Sequence, residues 1–273
     1  SMPANARLNR LFAADGKCLN VAVDHGFFNE PSFLDGIRDV RRAIATLVAA
    51  APDAIQLPPG SARHLQSIAG PSKPALVLRT DVANLYGAVH PGRLGSEIIP
   101  NAVDSALRLD AACVVVNLFL IDGEPDLHLQ CLRNVAQLRA ECDRYAMPLM
   151  VEPLVMQAGD RGRYGVDGRP ERIVPLIRQA VELGADVIKA DPTDDPADFK
   201  AAIEVAGDVP VLVRGGGKVS EAEIVTRSAR LMATGARGLV YGRNIIQAAD
   251  PARMVQQLMA VVHAPTAPNE ANA

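Results

Sequence analysis

A lysine at the end of an apolar run is the first residue that suggests chemistry in this sequence. In "GADVIKADPTDD", residues 184–195, "ADVI" is typical of a buried strand and "ADPTDD" of the loop that follows it. Lys189 therefore lies where a strand reaches the surface. Burial and nearby positive charge lower a lysine pKa from about 10.4, and the neutral amine can then form a Schiff base with a carbonyl carbon. A phosphate counter-ion or a partner for Asp191 fits the same pattern.

A glutamate occupies the matching place on the preceding strand. The segment "MPLMVEPL" predicts a strand with Glu152 near its end. Neighbouring strands lie about 4.8 Å apart, so the Glu152 carboxylate can reach the Lys189 amine. It would then carry the protons that carbinolamine formation and dehydration require. The alternative is a plain ion pair, which would raise the pKa of Lys189.

Two glycine-containing segments near the end of the chain predict an anion site. In "VPVLVRGGG", Arg214 is followed by Gly215, Gly216 and Gly217, whose backbone N–H groups an anion can approach closely. In "YGRNIIQ", Gly242 and Arg243 open a helix, and a helix N-terminus favours negative charge. Tight turns without a ligand are the simpler explanation of these glycines.

These residues need a scaffold that brings strand ends together. Eight short apolar runs alternate with amphipathic stretches, which predicts an α/β fold, a single-domain (β/α)₈ TIM barrel over residues 1–263 with a disordered tail at 264–273. The rival is a doubly wound sheet, but its Gly-rich turn is absent after the first strand, where "DHG" stands. In a barrel the polar residues at the strand ends share one mouth. They are Asp24, His25, Arg79, Asp81, Asn117, Glu152, Lys189, Arg214 and Arg243.

Composition excludes several classes of function. The 273 residues are 49% hydrophobic, with a formal net charge of −3, which gives no electrostatic case for nucleic acid or an acidic membrane. No apolar run approaches the roughly 20 residues of a membrane span, and no signal peptide opens the sequence. The four cysteines show no paired spacing, which predicts reduced thiols and a cytoplasmic protein.

No metal or other cofactor is predicted. A divalent-metal enzyme needs clustered ligands, whereas the five histidines are scattered and only His25 and His90 fall near the predicted mouth. The chemistry is therefore expected to be metal-independent.

Three blocks of the sequence resemble a known family. They are "VAVDHG", "IKADPTDDPADFKAAIEVAGDVPVLVRGGGK" and "ATGARGLVYGRNIIQ". They resemble the class I, Schiff-base aldolases of the archaeal-type fructose-bisphosphate aldolase family and its deoxyribose-phosphate and tagatose-bisphosphate relatives. With the barrel pattern, the likeness covers roughly residues 7–262.

The resemblance implies roles for particular residues. Lys189 takes the place of the Schiff-base lysine, and Asp24 that of a proton-transfer or hydroxyl-binding group. The sugar phosphate would be bound by Gly215, Gly216, Gly242 and Arg243. A homo-oligomer is expected by the same analogy.

Two departures from the family pattern bear on the substrate. "MVEPLVM" lacks the usual tyrosine acid/base on the fifth strand, and Glu152 instead looks like the glutamate of tagatose-type and animal-type members. Arg214 replaces the usual serine before the glycine pair, where it would contact a second anionic group, and Gly217 replaces a proline. Both departures are compatible with the Schiff-base mechanism, and neither points to fructose bisphosphate itself as the substrate.

The sequence thus predicts a carbon–carbon lyase or transferase acting on a phosphorylated ketose or close analogue. Glu152 and Asp24 would handle protons, His25 would assist, and Arg79 and Asp81 would contact the distal end of the substrate. One alternative is a sugar-phosphate isomerase or epimerase that uses Glu152 and Asp24 without a covalent lysine. Another is a non-catalytic sugar-phosphate-binding protein. The loop 157–169 is either a lid or a solvated loop.

Overall fold

The fold is a closed parallel β-barrel. The computed structural model describes residues 5–85, 94–159 and 164–265. Eight parallel strands form the barrel: β1 (Cys18–Ala22), β2 (Ala54–Leu57), β3 (Ala75–Arg79), β6 (Ala111–Ile121), β7 (Leu149–Ala158), β9 (Val187–Ala190), β10 (Val211–Arg214) and β11 (Gly238–Tyr241). Each pairs with the next, and β11 pairs with β1 to close the ring. The predicted (β/α)₈ TIM barrel is confirmed.

Helices cover the outside of the barrel. They are α1 (Leu8–Leu11), α2 (Val40–Ala50), α3 (Pro59–Gln66), α4 (Ala102–Arg108), α5 (Pro125–Tyr145), α6 (Pro170–Glu182), α7 (Lys200–Ala206), α8 (Glu221–Met232), α9 (Arg243–Ile246) and α10 (Pro251–Val262). Side-chain caps fix several helix starts: Asp39, Ser220 and Asp250 each accept a hydrogen bond from a backbone N–H in the first turn. The apolar face of each long helix packs on the outer face of the strands.

Three short strands lie outside the ring. β4 (Asp81–Ala83) and β5 (Ser96–Ile98) form an antiparallel pair directly after β3. β8 (Tyr164–Val166) pairs antiparallel with the end of β7. Residues 157–169 were expected to form one loop, whereas their described parts belong largely to these last two strands. Residues 160–163, with Arg161 and Arg163, lie outside the described residues.

Alternate residues of the barrel strands point inward, and their character changes along the barrel axis. At the N-terminal end the interior is apolar, and α1 covers this end. The cluster there comprises Leu11, Cys18, Ala54, Val77, Cys113, Val115, Met150, Val187, Leu212 and Val240. At the C-terminal end the inward side chains are Asp24, Arg79, Glu152, Lys189 and Arg214, all of which line one cavity. The strands therefore carry the polar residues to a single mouth.

One glycine allows the barrel to close. Gly238 has a φ of 148°, and a Cβ at this position would lie 1.8 Å from the backbone oxygen of Cys18 on β1. A side chain of any size would push β11 away from β1, so the seam requires glycine.

The amphipathic patterns over residues 31–50 and 244–262 each predict one continuous helix, and the structure interrupts both. The helix expected from about 31 to 50 is a 3₁₀ turn (Pro31–Leu34) followed by α2, because Gly36, with φ of 85°, interrupts the chain. The helix expected from about 244 to 262 is divided into α9 and α10, with Pro251 beginning the second. Both breaks fall at residues that favour turns or helix starts.

The chain boundaries proposed from sequence stay predictions. Residues 266–273 of the expected tail lie outside the described residues, as does His90. No helix within the described ranges combines the length and apolarity that a membrane crossing requires.

Candidate active site

A buried network of charges fills the mouth of the barrel, with Arg79 at its centre. The Arg79 side chain, which is 2% exposed, makes three ion pairs. Its Nε donates to Asp24 Oδ2 at 2.8 Å, its Nη1 to Asp81 Oδ1 at 3.1 Å and its Nη2 to Glu152 Oε2 at 2.5 Å. One guanidinium thus joins carboxylates from three parts of the barrel. Each of the three nitrogen atoms of the buried Arg79 guanidinium therefore has a carboxylate partner.

Lys189 points into this network rather than toward solvent. Its residue is 4% exposed and its Nζ lies 3.0 Å from Glu152 Oε1. Burial lowers the pKa of Lys189, the Glu152 and Asp24 carboxylates oppose that shift, and Arg79 and Arg214 reinforce it. The ion pair considered from sequence is present, yet the net direction of the pKa is downward. The amine is therefore closer to its neutral, nucleophilic form than an exposed lysine is.

Glu152 is contacted by three cations at once. Lys189 Nζ and Arg214 Nε share its Oε1, each at 3.0 Å, and Arg79 contacts its Oε2. Burial favours the protonated acid, but the three cations outweigh it and hold the pKa of Glu152 at about 2. In this arrangement Glu152 is an ionised counter-ion.

Asp24 is held at the mouth from two sides. Gln56 Nε2 donates to its Oδ2 at 2.7 Å, alongside the bond from Arg79, and Asn20 Nδ2 in turn donates to Gln56 Oε1 at 3.3 Å. Burial would raise the pKa of Asp24, but Arg79, Lys189 and His25 lower it overall. Asp24 is an oriented carboxylate on the cavity wall.

Arg214 links Glu152 to a second carboxylate, Asp191. Its Nη1 donates to Asp191 Oδ1 at 2.6 Å. Asp191 Oδ2 is buried and has no hydrogen-bond partner among the described residues. Burial raises the pKa of Asp191, and the Arg214 contact only partly offsets this. The ion-pair partner of Lys189 is Glu152, so Asp191 is the partner of Arg214 instead.

The glycine segments form part of the cavity wall. Gly215, Gly216, Gly242 and Arg243 line the same cavity as Lys189, as predicted from sequence. Gly216 has a φ of 65°, which favours glycine. A Cβ at Gly242 would lie 2.3 Å from the His25 ring, so the close approach of these two residues requires glycine. These glycines therefore have a structural reason beyond a simple turn.

Gly217 lies outside the lining of this cavity. Its backbone oxygen accepts a hydrogen bond from Asn244 Nδ2 at 3.3 Å, and Asn244 Oδ1 accepts from Val219 N at 3.1 Å. Asn244, at the start of α9, thus ties the β10 loop to the β11 loop. It also lines the cavity, and it was not selected from the sequence.

His25 lies on the cavity wall among cations and aromatic rings. Burial lowers the pKa of His25 to about 4, with Arg243, Lys189 and Arg214 acting in the same direction and Asp24 against it. Its ring meets the Phe33 ring edge to face at 5.6 Å between centroids, and the Arg243 guanidinium lies 4.7 Å from the centroid of the same Phe33 ring. His25 is therefore neutral near pH 7.

Asp81 and Asn117 are buried beside the cavity and support it. Asp81 Oδ2 accepts from Asn117 Nδ2 at 2.8 Å and from Ser96 Oγ at 2.9 Å. Neither Asp81 nor Asn117 lines the cavity. The expected contact of Asp81 with the distal end of a substrate stays a prediction, and its observed contacts hold Arg79 in place.

No metal centre is formed by these carboxylates. Within the part of the chain that the structure describes, no group of three or more His, Cys, Asp or Glu side chains is arranged to hold a metal ion. Each carboxylate in the network faces at least one guanidinium or ammonium group instead.

The network contains residues that sequence reasoning overlooked. Gln56, in "DAIQLP", is a polar residue in an otherwise apolar strand, and that exception was an available signal. Asn20, in "CLNVAVDHG", gives the same signal. Both point into the barrel, where a polar side chain needs a partner.

Comparison with known proteins supports the interpretation of this site. Residues 18–248 match the family model described as DeoC/LacD family aldolase. An uncharacterized aldolase of Saccharolobus solfataricus is 31% identical over 269 residues, covering 94% of this chain and 93% of that protein. The 3-hydroxy-5-phosphonooxypentane-2,4-dione thiolase of Salmonella paratyphi A is 32% identical over 263 residues, covering 94% of this chain and 81% of the relative.

Solved structures agree with these sequence matches. An archaeal fructose-1,6-bisphosphate aldolase, with its catalytic lysine covalently bound to the carbinolamine intermediate of the substrate, superposes with a TM-score of 0.77 at 27% identity. The match covers 94% of this chain and 98% of that one. A second structure of a Schiff-base-forming fructose-1,6-bisphosphate aldolase gives a TM-score of 0.78 at the same identity, with 94% and 98% covered.

Proposed function

Because the chain belongs to the DeoC/LacD family of aldolases, we propose that Lys189 forms the Schiff base through which it makes or breaks a carbon–carbon bond. The observation that carries this proposal is the position of the Lys189 amine, buried at the cavity wall 3.0 Å from Glu152. An exposed lysine at the same strand end would be fully protonated and a poor nucleophile.

The first stage of the reaction uses the Lys189–Glu152 pair. Transfer of a proton from the Lys189 ammonium to Glu152 leaves a neutral amine, which attacks the substrate carbonyl. The resulting carbinolamine loses its oxygen as water when Glu152 returns the proton. Lys189 then carries an iminium cation, in the place where the resting site holds an ammonium. The surrounding carboxylates favour both cations.

The second stage requires a base for a substrate hydroxyl group. The iminium accepts the bonding electrons when the carbon–carbon bond breaks, while a carboxylate takes the hydroxyl proton from the carbon that becomes an aldehyde. Asp24 and Glu152 both line the cavity within reach of a substrate bound at Lys189. Asp24, fixed by Gln56 and Arg79, can also orient the hydroxyl. Reprotonation of the enamine and hydrolysis release the second product.

A phosphate on the substrate would bind at the glycine wall. Among the described residues, no group accepts a hydrogen bond from the backbone N–H of Gly216, which lines the cavity. Arg243 adds positive charge on the same wall. We therefore propose a phosphorylated ketose or a close analogue as substrate, with fructose bisphosphate as one member of this class. The names of two relatives refer to a phosphorylated dione and to a ketose bisphosphate, and both of these compounds contain a carbonyl group and a phosphate ester.

The isomerase alternative is not favoured. The relatives are aldolases and a thiolase, and the carbinolamine structure of one neighbour supports covalent lysine chemistry. The absence of a metal requirement and assembly into a homo-oligomer stay predictions.

Reductive trapping tests this proposal directly. We expect borohydride with dihydroxyacetone phosphate to add a permanent mass to a peptide containing Lys189, and Lys189→Met to lose both the label and about 10³-fold or more in turnover. Lys200→Met is the matched control, because Lys200 is exposed at the start of α7. This variant should keep both the label on Lys189 and the turnover. A label on any other lysine, or none with a substrate that is turned over, would refute the role of Lys189.

A further inference from the structure

Arg214 is the cation of the network that lies closest to solvent. Its side chain is 17% exposed, whereas that of Arg79 is 2% exposed. It lies at the end of β10, immediately before Gly215 and Gly216, and lines the cavity. The guanidinium thus stands between the proposed phosphate wall and the carboxylate that pairs with Lys189.

In the resting arrangement Glu152 is a poor proton acceptor. Its Oε1 is shared by Lys189 and Arg214, each at 3.0 Å, and its Oε2 is bound to Arg79. Every cation around a carboxylate stabilises its ionised form. Arg214 also lowers the pKa of Lys189, but its direct contact is with Glu152, so its withdrawal changes the carboxylate more than the amine. The proposed reaction nevertheless requires Glu152 to take a proton from Lys189, so one of these cations has to withdraw.

Arg79 is unsuited to this movement. Its guanidinium bonds three carboxylates, and its departure would leave Asp24, Asp81 and Glu152 without their common partner in a buried site. Among the described residues, the carboxylate contacts of Arg214 are those with Glu152 and Asp191, and its side chain lines the cavity. An arginine side chain can also form a bidentate pair of hydrogen bonds with a phosphate or carboxylate group.

We propose that Arg214 is a counter-ion that the substrate displaces: an anionic group of the substrate draws the guanidinium off Glu152, which then accepts the proton of Lys189. This inference rests on the proposed Schiff-base function and adds a condition to it. The amine becomes nucleophilic only when the correct, charged substrate is bound. A small uncharged carbonyl compound leaves Arg214 on Glu152 and Lys189 protonated.

The proton inventory of the step balances. One ammonium proton passes to Glu152, and the nitrogen lone pair forms the bond to the carbonyl carbon. A second nitrogen proton passes to the former carbonyl oxygen, which leaves as water after Glu152 returns the first. The product is an iminium that retains one N–H, so the total charge at Lys189 is unchanged.

Asp191 lowers the free-energy cost of moving Arg214 away from its resting position. It is buried, its Oδ2 has no partner among the described residues, and burial favours its neutral form by raising its pKa. A carboxyl group that can hold a proton does not leave an uncompensated buried charge when its arginine moves. Asp191 is therefore a positioning residue that holds Arg214 at rest.

Trapping with two ketones of different charge tests the inference. The probes are dihydroxyacetone phosphate and dihydroxyacetone, and the readout is the rate of borohydride-dependent mass gain on Lys189. In Arg214→Gln we expect the rate with dihydroxyacetone to rise by about tenfold, the effect of one pKa unit at Glu152, while the rate with dihydroxyacetone phosphate falls. Arg214→Lys keeps the charge and should keep the slow rate with dihydroxyacetone.

The change in the labelling rate with dihydroxyacetone distinguishes a displaced counter-ion from a residue that only binds the anion. If Arg214 only binds the anion, the rate with dihydroxyacetone stays unchanged or falls in Arg214→Gln, and the inference is overturned. Arg230→Gln is the control, because Arg230 is an exposed arginine of α8 paired with Asp195. Thermal unfolding verifies that each variant is folded. Failure of the wild-type protein to label with either probe would instead refute the proposed function.

Discussion

The two ends of the barrel interior are built in opposite ways. The N-terminal end is closed by apolar side chains and thiols from the strands, with Leu11 of α1 over them. The ion-paired network at the C-terminal end holds three cations (Arg79, Lys189 and Arg214) and four carboxylates (Asp24, Asp81, Glu152 and Asp191), almost all of them buried. Among the described inward-facing side chains, those of the first end are apolar, whereas those of the second end include the charged groups. The same strands therefore serve stability at one end and chemistry at the other.

The thiols illustrate how inert the apolar end is. Burial raises the pKa of Cys18 and of Cys113 well above the usual thiol value, with nearby acidic groups adding to the shift. Because thiolate is the reactive form, these cysteines behave as small hydrophobic residues. At the mouth, by contrast, burial lowers the pKa of Lys189 and makes it more reactive. Burial disfavours the charged form of each group, so it makes the acidic thiols less reactive and the basic Lys189 amine more reactive.

Removing Arg79 should give the largest loss of stability. We expect Arg79→Met to lower the free energy of unfolding by about 3–5 kcal/mol, because three buried carboxylates lose their shared partner. Urea unfolding measures the change. Arg38→Met removes an exposed pair with Asp35 and should cost less than about 1 kcal/mol. Equal midpoints for the two variants would show that the mouth contributes little to folding.

Truncation at the apolar end should separate stability from activity. We expect Leu11→Ala to lower the free energy of unfolding by about 2–4 kcal/mol through the cavity it leaves, while turnover per folded molecule is unchanged. The comparison is Leu129→Ala on α5, an exposed position with a cost below about 1 kcal/mol. A loss of turnover in folded Leu11→Ala would mean that the two ends are coupled.

A smaller, pH-dependent effect is expected at His263, also at the N-terminal end. Its Nδ1 lies 2.7 Å from Asp15 Oδ2 and its Nε2 lies 2.8 Å from Asp53 Oδ2. Burial would lower the pKa of His263, but these carboxylates raise it overall. The stabilisation is therefore fully present below the unfolded pKa of about 6.5, and it is lost as pH rises through the folded value.

The measurement compares the wild-type protein with His263→Gln across pH. The difference in free energy of unfolding should be greater at about pH 5.5 than at about pH 8.5. His64→Gln, on α3, serves as the control histidine. A difference that grows with rising pH would mean that the two carboxylates do not stabilise the charged imidazole.

Much of the fold was predictable because local patterns carry it. The continuous apolar run "ACVVVNLFL" predicts a buried strand, which is β6, and the 3.6-residue spacing of apolar residues over 125–145 predicts a helix, which is α5. The membership in an aldolase family was also predicted from "VAVDHG" and the blocks around Lys189, and it is confirmed. The break before α2 was missed because the apolar pattern runs through Gly36 without interruption.

The site was predicted only where strands are neighbours. The Glu152–Lys189 contact follows from the adjacency of β7 and β9, and the structure has it at 3.0 Å. Arg79 reaching Glu152 from β3 was not predictable, because β6 lies between β3 and β7 and the two side chains meet only inside the barrel. The Arg214–Asp191 bond was missed because Asp191 lies close to Lys189 along the chain and was considered only as a possible partner for that lysine.

The seam at Gly238 has a consequence for the order in which the molecule assembles. The barrel closes when residue 18 pairs with residue 238, so the backbone hydrogen bonds between β1 and β11 form only after the last strand is present. Contacts so distant in the chain carry a large loop-closure entropy and slow the folding of a domain. During synthesis the ring stays open until the final strand emerges, and the exposed edges of β1 and β10 are the surfaces that other chains can capture in that interval.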